Sequence, residues 1–225
     1  MVSLRRALLV TSLAVAGLNA APASAATIWV DWTAATPGAP GSATGVVGGV
    51  GVTYIGELVV PTLDGSSVLW APDTSWIGGA ITESPSIVGD DLRMNGFLYS
   101  GPSSITFSSP VVNPVIAFWS LGSPFTEASF SFNAKPTFEA GGPNTFPLSG
   151  GPITVAGNVV TGMNGNGVVQ FYGTYTSLIW TATPDFFYAF TVGTNRGSPV
   201  TVPEPVSTAL FGVGLVGVAW RRIRR

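Results

Sequence analysis

The 225-residue chain contains no histidine and no cysteine. Without them it cannot form a Ser-His-Asp or Cys-His nucleophilic site, and the usual zinc ligand sets are excluded as well. No disulfide can form, so the stability of the fold must come from an ordinary hydrophobic core. The chain also lacks a Gly-x-x-x-x-Gly-Lys phosphate loop. We therefore expect no enzyme of the common hydrolase, kinase or oxidoreductase classes.

Charged residues make up only 9% of the chain, and they are unevenly distributed. Six of the nine lysines and arginines lie in the two terminal segments. Residues 26–200 are left with ten acids against three bases, a net charge of −7. Such an acidic body repels phosphate backbones, and it has no basic stripe of the kind that nucleic-acid binding requires. We expect no nucleic-acid partner.

The last 25 residues combine three elements in a fixed order. Pro203-Glu204-Pro205 comes first, an uncharged apolar run over residues 206–220 follows, and an arginine cluster occupies residues 221–225. As a helix the run would span about 22 Å, which is less than the ~30 Å hydrocarbon core of a bilayer. Trp220 at the interface and snorkelling arginines can make up the difference. The sequence predicts a membrane helix of marginal length, with its arginine end in the cytoplasm.

This order of motif, helix and basic cluster resembles the PEP-CTERM sorting tail of Gram-negative bacteria. The resemblance implies that an exosortase, a membrane-embedded processing enzyme, recognises Pro203, Glu204 and Pro205 and then removes the tail. Such tails are associated with bacteria that make extracellular polysaccharide. Val206 separates the motif from Ser207, a small departure from the expected pattern that leaves the motif intact.

The first 25 residues predict a secretory signal peptide. A positively charged start and a short apolar run over residues 7–18 precede Ala23 and Ala25, the small residues that a signal peptidase requires. Cleavage is expected before Ala26. Both termini thus predict export, first as a precursor tethered to the inner membrane and then as a product at the cell surface, in the outer membrane or outside the cell.

Residues 26–200 alternate short apolar runs with Gly, Pro, Asn and Ser clusters and show almost no helical periodicity. This pattern predicts a single all-β domain, an antiparallel β-sandwich or jelly roll. Gly157 and Asn158 predict a tight hairpin. The glycine- and proline-rich residues 36–51 are expected to form a partly mobile loop, and residues 67–70 and 96–99 are among the predicted strands.

Trp70 and Trp76 flank a loop that contains Pro72 and Asp73. Two indoles on a rigid loop beside a carboxylate are one way in which sugar-binding modules present a flat surface to a pyranose ring. The alternative is that both indoles cover the edge of the core, as large aromatic side chains in all-β domains usually do. Trp70, Asp73 and Trp76 are therefore candidate sugar-binding residues, and both interpretations remain open.

Asp90 and Asp91 follow Gly89 and precede Arg93. Oxygen ligands from a loop suit Ca²⁺ outside the cell, where weak affinity is sufficient. The alternative is a solvated turn with Arg93 as a surface partner. Asp90 and Asp91 are a candidate calcium site, although their spacing matches no EF-hand loop. No other cofactor is expected.

Three classes of function remain. The preferred one is a non-catalytic cell-surface or extracellular-matrix protein associated with biofilm or exopolysaccharide, as the PEP-CTERM resemblance implies. The second is a carbohydrate-binding module, which accessible and coplanar Trp70 and Trp76 would favour. The third is a glycoside hydrolase that uses carboxylates alone, which two close, partly buried acids in a cleft would favour.

Overall fold

The computed structural model describes residues 26–65, 68–86, 89–145 and 150–195. The predicted signal peptide and sorting tail lie outside these residues. Within the described part the chain forms strands and one 3-10 turn at Asp73–Ser75, and the all-β prediction is confirmed. No helix in that part is long and apolar enough to cross a membrane.

The strands of the described residues are numbered in chain order. They are β1 (Thr27–Trp29), β2 (Asp31–Thr36), β3 (Gly38–Val47), β4 (Val50–Leu58), β5 (Val60–Thr62), β6 (Asp91–Met94), β7 (Ser103–Val112), β8 (Pro114–Leu121), β9 (Ala128–Phe132), β10 (Thr137–Gly141), β11 (Thr154–Ala156), β12 (Val159–Gly162), β13 (Gly165–Gln170), β14 (Thr174–Ala182) and β15 (Tyr188–Asn195).

These strands form two antiparallel sheets. The seven-stranded sheet has the order β10-β13-β8-β15-β6-β5, and β1 also pairs with β15. The eight-stranded sheet has the order β11-β12-β9-β14-β7-β4-β3-β2. Aromatic rings join the two sheets across a shared core. Phe118 of β8 lies 4.9 Å from Phe130 of β9, and Tyr54 of β4 lies 5.2 Å from Phe190 of β15, measured between ring centroids.

The hydrophobic core of the described residues consists of two clusters. Their members lie between Val30 and Val192 in the sequence. The larger cluster fills the space between the sheets, and the smaller one lies on the outer face of the seven-stranded sheet.

The smaller cluster forms because one long connection packs against the seven-stranded sheet. We call residues 63–90, between β5 and β6, the covering segment. It contributes four buried apolar side chains, and the strands β8, β10, β13 and β15 contribute the rest. The cluster contains Leu69, Trp70, Trp76, Ile81, Val115, Ala117, Trp119, Ala140, Val168 and Ala189.

Sequence patterns located one turn correctly and three segments wrongly. Gly157 begins the turn between β11 and β12, which pair as predicted, and its φ of 62° suits glycine. Residues 36–51 are not a mobile loop, because most of them form β3, which pairs with both β2 and β4. Residues 96–99 form a loop after β6 and not a strand. Residues 68–70, the described part of another predicted strand, also lie outside the strands.

Candidate functional site: an acidic cluster and an uncharged sheet face

The prediction of an exposed sugar-binding platform at Trp70, Asp73 and Trp76 is wrong. Trp70 and Trp76 are each 0% exposed. Their rings are 5.0 Å apart and meet at 82°, edge to face, so they are neither accessible nor coplanar. Asp73 lies on the surface, at the start of the 3-10 turn between them.

The outward side chains of β8 explain this burial. Val115, Ala117 and Trp119 point away from the central core, while Ile116 and Phe118 point into it. Because a strand with apolar residues on both faces must be covered on both, the indoles of the covering segment pack onto its outer side. The interpretation of Trp70 and Trp76 as core residues is the one that the structure supports.

The predicted pairing of Asp90 with Asp91 at one calcium site is also wrong. Asp91 is the first residue of β6 and is 0% exposed. Its carboxylate accepts two hydrogen bonds from Arg93, from Nε at 2.5 Å and from Nη2 at 3.1 Å. Those bonds occupy both carboxylate oxygens of Asp91.

Asp90 instead belongs to a cluster with Asp31 and Asp64. One carboxylate oxygen from each residue lies within 4.8 Å of the other two. Asp31 begins β2, at the edge of the eight-stranded sheet, and Asp64 and Asp90 lie near the two ends of the covering segment. We call these three residues the acidic cluster. It joins the ends of the covering segment to the edge strand of the opposite sheet.

Close backbone packing holds the two ends of the covering segment together. A Cβ atom on Gly89 would lie only 2.7 Å from the backbone N and O of Gly65, and Gly89 has a φ of 139°. Asp64 and Asp90 each adopt a positive φ, of 51° and 65°, in a region that Asp tolerates better than most residues. Gly89 thus allows the approach that brings Asp90 next to Asp64.

The electrostatic cost of the acidic cluster is concentrated on Asp90. The pKa of Asp90 is raised to about 6, chiefly by burial and also by the nearby charges of Asp31 and Asp64. Hydrogen bonds from the backbone of Asp64 and Trp32 oppose the shift. Oδ1 of Asp90 is buried without a hydrogen-bond partner among the described residues. Asp31 and Asp64 are exposed.

The donor chemistry of the acidic cluster fits calcium better than the predicted pair did. Ca²⁺ is bound by six to eight oxygen ligands at about 2.3–2.6 Å, so two of its ligands can be up to about 5 Å apart. The three carboxylate oxygens satisfy this limit. Calcium remains a prediction, and the candidate ligands become Asp31, Asp64 and Asp90 in place of Asp90 and Asp91.

A second feature, which the sequence analysis missed, is the outer face of the eight-stranded sheet. The register aligns Thr44, Thr53, Thr106 and Ser177 in one row across four strands. A neighbouring row contains Ser42, Ile55, Ser104 and Ile179. The outward residues of β9 and β12, with Thr181 of β14, extend the surface; they are Ser129, Ser131, Val159, Thr161 and Thr181.

We call this surface, from β3 to β12, the hydroxyl face. Neighbouring strands of a sheet are about 4.8 Å apart, so its rows bring hydroxyl groups close together. Within the described strands β3, β4, β7, β14, β9 and β12 the single charged side chain is Glu57, which is buried. The sequence signal was present in alternations such as Ala128-Ser129-Phe130-Ser131-Phe132, whose polar members form this face.

The terminal segments contribute a targeting signal and no described geometry. Pro203, Glu204 and Pro205, the hydrophobic run 206–220 and the cleavage residues Ala23 and Ala25 lie outside the described residues. Ala26 is described and is exposed.

Residues 201–225 match the family model described as the PEP-CTERM protein-sorting motif. This motif implies an exported, membrane-anchored precursor that an exosortase processes. No curated protein and no solved structure matches the chain.

Proposed function

We propose that this protein is a non-catalytic component of the cell surface or extracellular matrix that associates with neutral polysaccharide through the hydroxyl face. The observation that carries the proposal is the chemistry of that face. Its outward side chains are Ser and Thr with a few Ile and Val, whereas residues 26–200 as a whole carry a net charge of −7. An uncharged face on an acidic domain suits a neutral partner.

Hydrogen bonding supports a polymer rich in hydroxyl groups. Each Ser or Thr hydroxyl can donate one hydrogen bond and accept two, which matches the donors and acceptors of a sugar. Thr is stiff at χ1 and little rotamer entropy is lost when short side chains are ordered. Ile55 and Ile179, 47% and 39% exposed, offer apolar contacts to the C–H faces of sugar rings.

The specific form of this proposal is a carbohydrate-binding module, and the general form is a matrix protein with broad affinity for neutral glycans. The aromatic platform supports neither form, because Trp70 and Trp76 are buried. The hydroxyl face supports both. A preference for one glycan over others would favour the module.

A carboxylate-only glycoside hydrolase has one supporting observation. The pKa of Asp90 is raised to about 6, as it is for the general acid of such enzymes. We propose no catalysis, because Asp31 and Asp64 are exposed and the arrangement equally suits a cation. Release of reducing ends from a polysaccharide by the domain, abolished in Asp90→Asn, would establish the enzyme instead.

The proposal is tested by retention of the domain (residues 26–200) on columns of neutral polysaccharide, such as dextran and cellulose. The variant Thr44→Val/Thr53→Val/Thr106→Val removes three hydroxyls from one row and keeps the β-branched shape. We expect the domain to be retained at both low and high salt, and the valine variant to be eluted early.

The matched control is Thr44→Ser/Thr53→Ser/Thr106→Ser, which keeps the hydroxyls and should keep retention. Equal retention of the valine and serine variants would contradict a role for the hydroxyl face. A loss of retention in high salt would point to charged groups elsewhere on the domain.

Processing is tested separately, by intact-mass spectrometry of the protein from its native host. We expect the mature chain to begin at Ala26 and to end at or near Pro203-Glu204-Pro205. A dominant species that retains residues 211–225 would contradict removal of the tail.

A further inference from the structure

One end of the sandwich carries exposed apolar side chains on three neighbouring loops. The loops are residues 95–102 after β6, 122–127 after β8 and 183–187 after β14. They share one end because Tyr188 pairs with Met94 and Ala189 pairs with Trp119. The exposed side chains are Phe97 at 60%, Leu98 at 64%, Phe125 at 90%, Phe186 at 81% and Phe187 at 37%. We call these five residues the aromatic tip.

The first loop is fixed by a buried carboxylate. Glu57, 2% exposed, accepts hydrogen bonds from four backbone N–H groups of that loop. Oε1 accepts from Asn95 and Gly96 at 2.9 and 3.0 Å, and Oε2 accepts from Leu98 and Tyr99 at 3.0 and 3.2 Å. Four backbone hydrogen bonds to one buried side chain fix the path of the loop. The exposure of Phe97 and Leu98 is therefore a property of an ordered loop.

The other two loops are fixed in similar ways. Asp185 donates its backbone N–H to the carbonyl of Asn95 at 2.8 Å, which joins the third loop to the first, and the rings of Phe97 and Phe186 are 6.4 Å apart. In the second loop Ser123 Oγ accepts from the backbone N–H groups of Phe125 and Thr126, at 3.2 and 2.9 Å. The aromatic tip is thus a preorganised surface.

The size of the tip is that of an interaction site. With about 200 Å² for each aromatic side chain, its five residues expose roughly 600 Å². Apolar patches of this size on a soluble domain usually mark a binding surface.

We propose that the aromatic tip inserts into the surface of a lipid bilayer. None of its five side chains has a hydrogen-bonding group, so it offers a sugar no polar partner, whereas Phe and Leu partition well into the acyl boundary. The charged residues nearby are few: Arg93, which lies 5.8 Å from the Phe187 ring, its partner Asp91, the buried acids Glu57 and Asp185, and Glu127 on the second loop. This chemistry suits a zwitterionic bilayer, since the described residues of these loops include no basic cluster that would attract an anionic one.

The chain outside the described domain allows the tip to reach the bilayer that holds the tail. β15 starts at the tip and ends at Asn195, at the opposite end of the sandwich, about 25 Å away. Ten residues lie between Asn195 and the apolar run that begins at residue 206, and an extended chain from Asn195 to residue 206 spans up to about 36 Å. The tether is long enough for the domain to lie on the membrane.

A second lipid contact would also compensate for a short tail, because stable anchoring generally requires two signals. After the tail is removed, the tip would still hold the product at a membrane. This inference depends on the membrane-anchored precursor that the sorting motif implies, and it does not depend on polysaccharide binding.

The test uses the absence of cysteine from the chain. A single cysteine, Leu98→Cys, in the domain (residues 26–200) is labelled with an environment-sensitive fluorophore and titrated with phosphatidylcholine vesicles. We expect a saturable shift of the emission to shorter wavelength. The control label at Val112→Cys, exposed at the opposite end of β7, should not respond.

Two substitutions test whether the phenylalanines cause the binding. Phe97→Ser and Phe186→Ser should each weaken vesicle binding at least about tenfold. This factor corresponds to the free energy gained when one such side chain is buried in an apolar environment. The matched control Ile55→Ser/Ile179→Ser removes exposed apolar groups from the hydroxyl face and should leave vesicle binding unchanged. Melting temperatures of all variants show that the fold is retained.

Three results would overturn the proposal. The first is that the label at Leu98→Cys does not respond to vesicles. The second is that the two control substitutions weaken vesicle binding as much as the tip substitutions do. The third is an emission shift that occurs without vesicles and depends on protein concentration, because the tip would then be a contact between two copies of the domain.

Discussion

The outer faces of the two sheets differ, although both sheets contribute their inner faces to the same core. On the seven-stranded sheet the outward residues of β8 are apolar, and the covering segment buries them under Trp70 and Trp76. On the eight-stranded sheet the outward residues are mainly Ser and Thr and remain open. The residue type at alternate positions therefore decides which face acquires a cover and which is free to meet a partner.

The acidic cluster lies where these two arrangements meet. Asp64 and Asp90 belong to the covering segment, and Asp31 belongs to the edge strand of the open sheet. Repulsion among three carboxylates disfavours their close approach, and a cation would favour it. We therefore expect ionic conditions to affect the covered face through this cluster.

The largest effect is expected on the covered face. Replacing the fully buried Trp76 by Ala removes an indole that packs against Trp70 and should lower the free energy of unfolding by about 3–5 kcal/mol. Denaturant unfolding measures this change. A loss below about 1 kcal/mol would show that the covering segment contributes little to stability, and the comparison of the two faces would fail.

Sequence patterns predicted the strands whose alternation is local, and they missed contacts that depend on distant segments. The alternation of Phe130 and Phe132 with Ser129 and Ser131 is enough to predict β9. Trp70 and Trp76 are buried against strands that lie about 40 to 120 residues later in the chain. The sequence of their own loop does not indicate this contact. The continuous apolar run of β8 was the available signal, since a strand with two apolar faces requires a cover on each.

The same reasoning explains the incorrect calcium ligands. Asp90 and Asp91 are adjacent in sequence, but they lie in different backbone conformations. Asp91 begins β6 and accepts hydrogen bonds from Arg93, whereas Asp90 precedes the strand with a φ of 65°. Asp31, Asp64 and Asp90 converge only through the pairing of distant strands, and single-sequence patterns do not reveal that pairing.

The second largest effect concerns calcium at the acidic cluster. With a Kd of about 10⁻⁴ M, typical of extracellular sites, 10 mM Ca²⁺ should stabilise the domain by about 2.7 kcal/mol. Thermal unfolding with and without Ca²⁺ measures the effect. Asp90→Asn should abolish the response, and Asp73→Asn, which changes an exposed acid outside the cluster, should preserve it. An equal response in both variants would indicate nonspecific binding.

A smaller effect is expected from the charge of Asp90 in the absence of calcium. Because the pKa of Asp90 in the folded state is raised to about 6 from an ordinary value of 3.8, the folded state holds this proton more tightly than the unfolded state. Its contribution to stability is full below about pH 4 and is lost as the pH rises through 6.

Asp90→Asn should therefore stabilise the domain at pH 7 by about 1 kcal/mol, a value reduced for solvent screening of a half-exposed group. The variant and the wild type should converge near pH 3. Denaturant midpoints across this pH range measure both. A wild type that gains stability on account of Asp90 between pH 4 and pH 6 would contradict the sign of the shift.

The smallest effect is expected on the open face, at Ile179. This side chain lies on the hydroxyl face and is 39% exposed. Its partner on the neighbouring strand β7 is Ser104, which is already polar. Ile179→Thr keeps the β-branched shape and adds one hydroxyl to the row. Because no cover is lost, the free energy of unfolding should change by less than about 0.5 kcal/mol, and unfolding in denaturant measures it.

The matched substitution on the covered face, Val115→Thr, places a hydroxyl in the buried cluster beneath the covering segment and should cost about 1–3 kcal/mol. Equal costs at the two positions would mean that the eight-stranded sheet is also covered, and the hydroxyl face would then not be available to a partner.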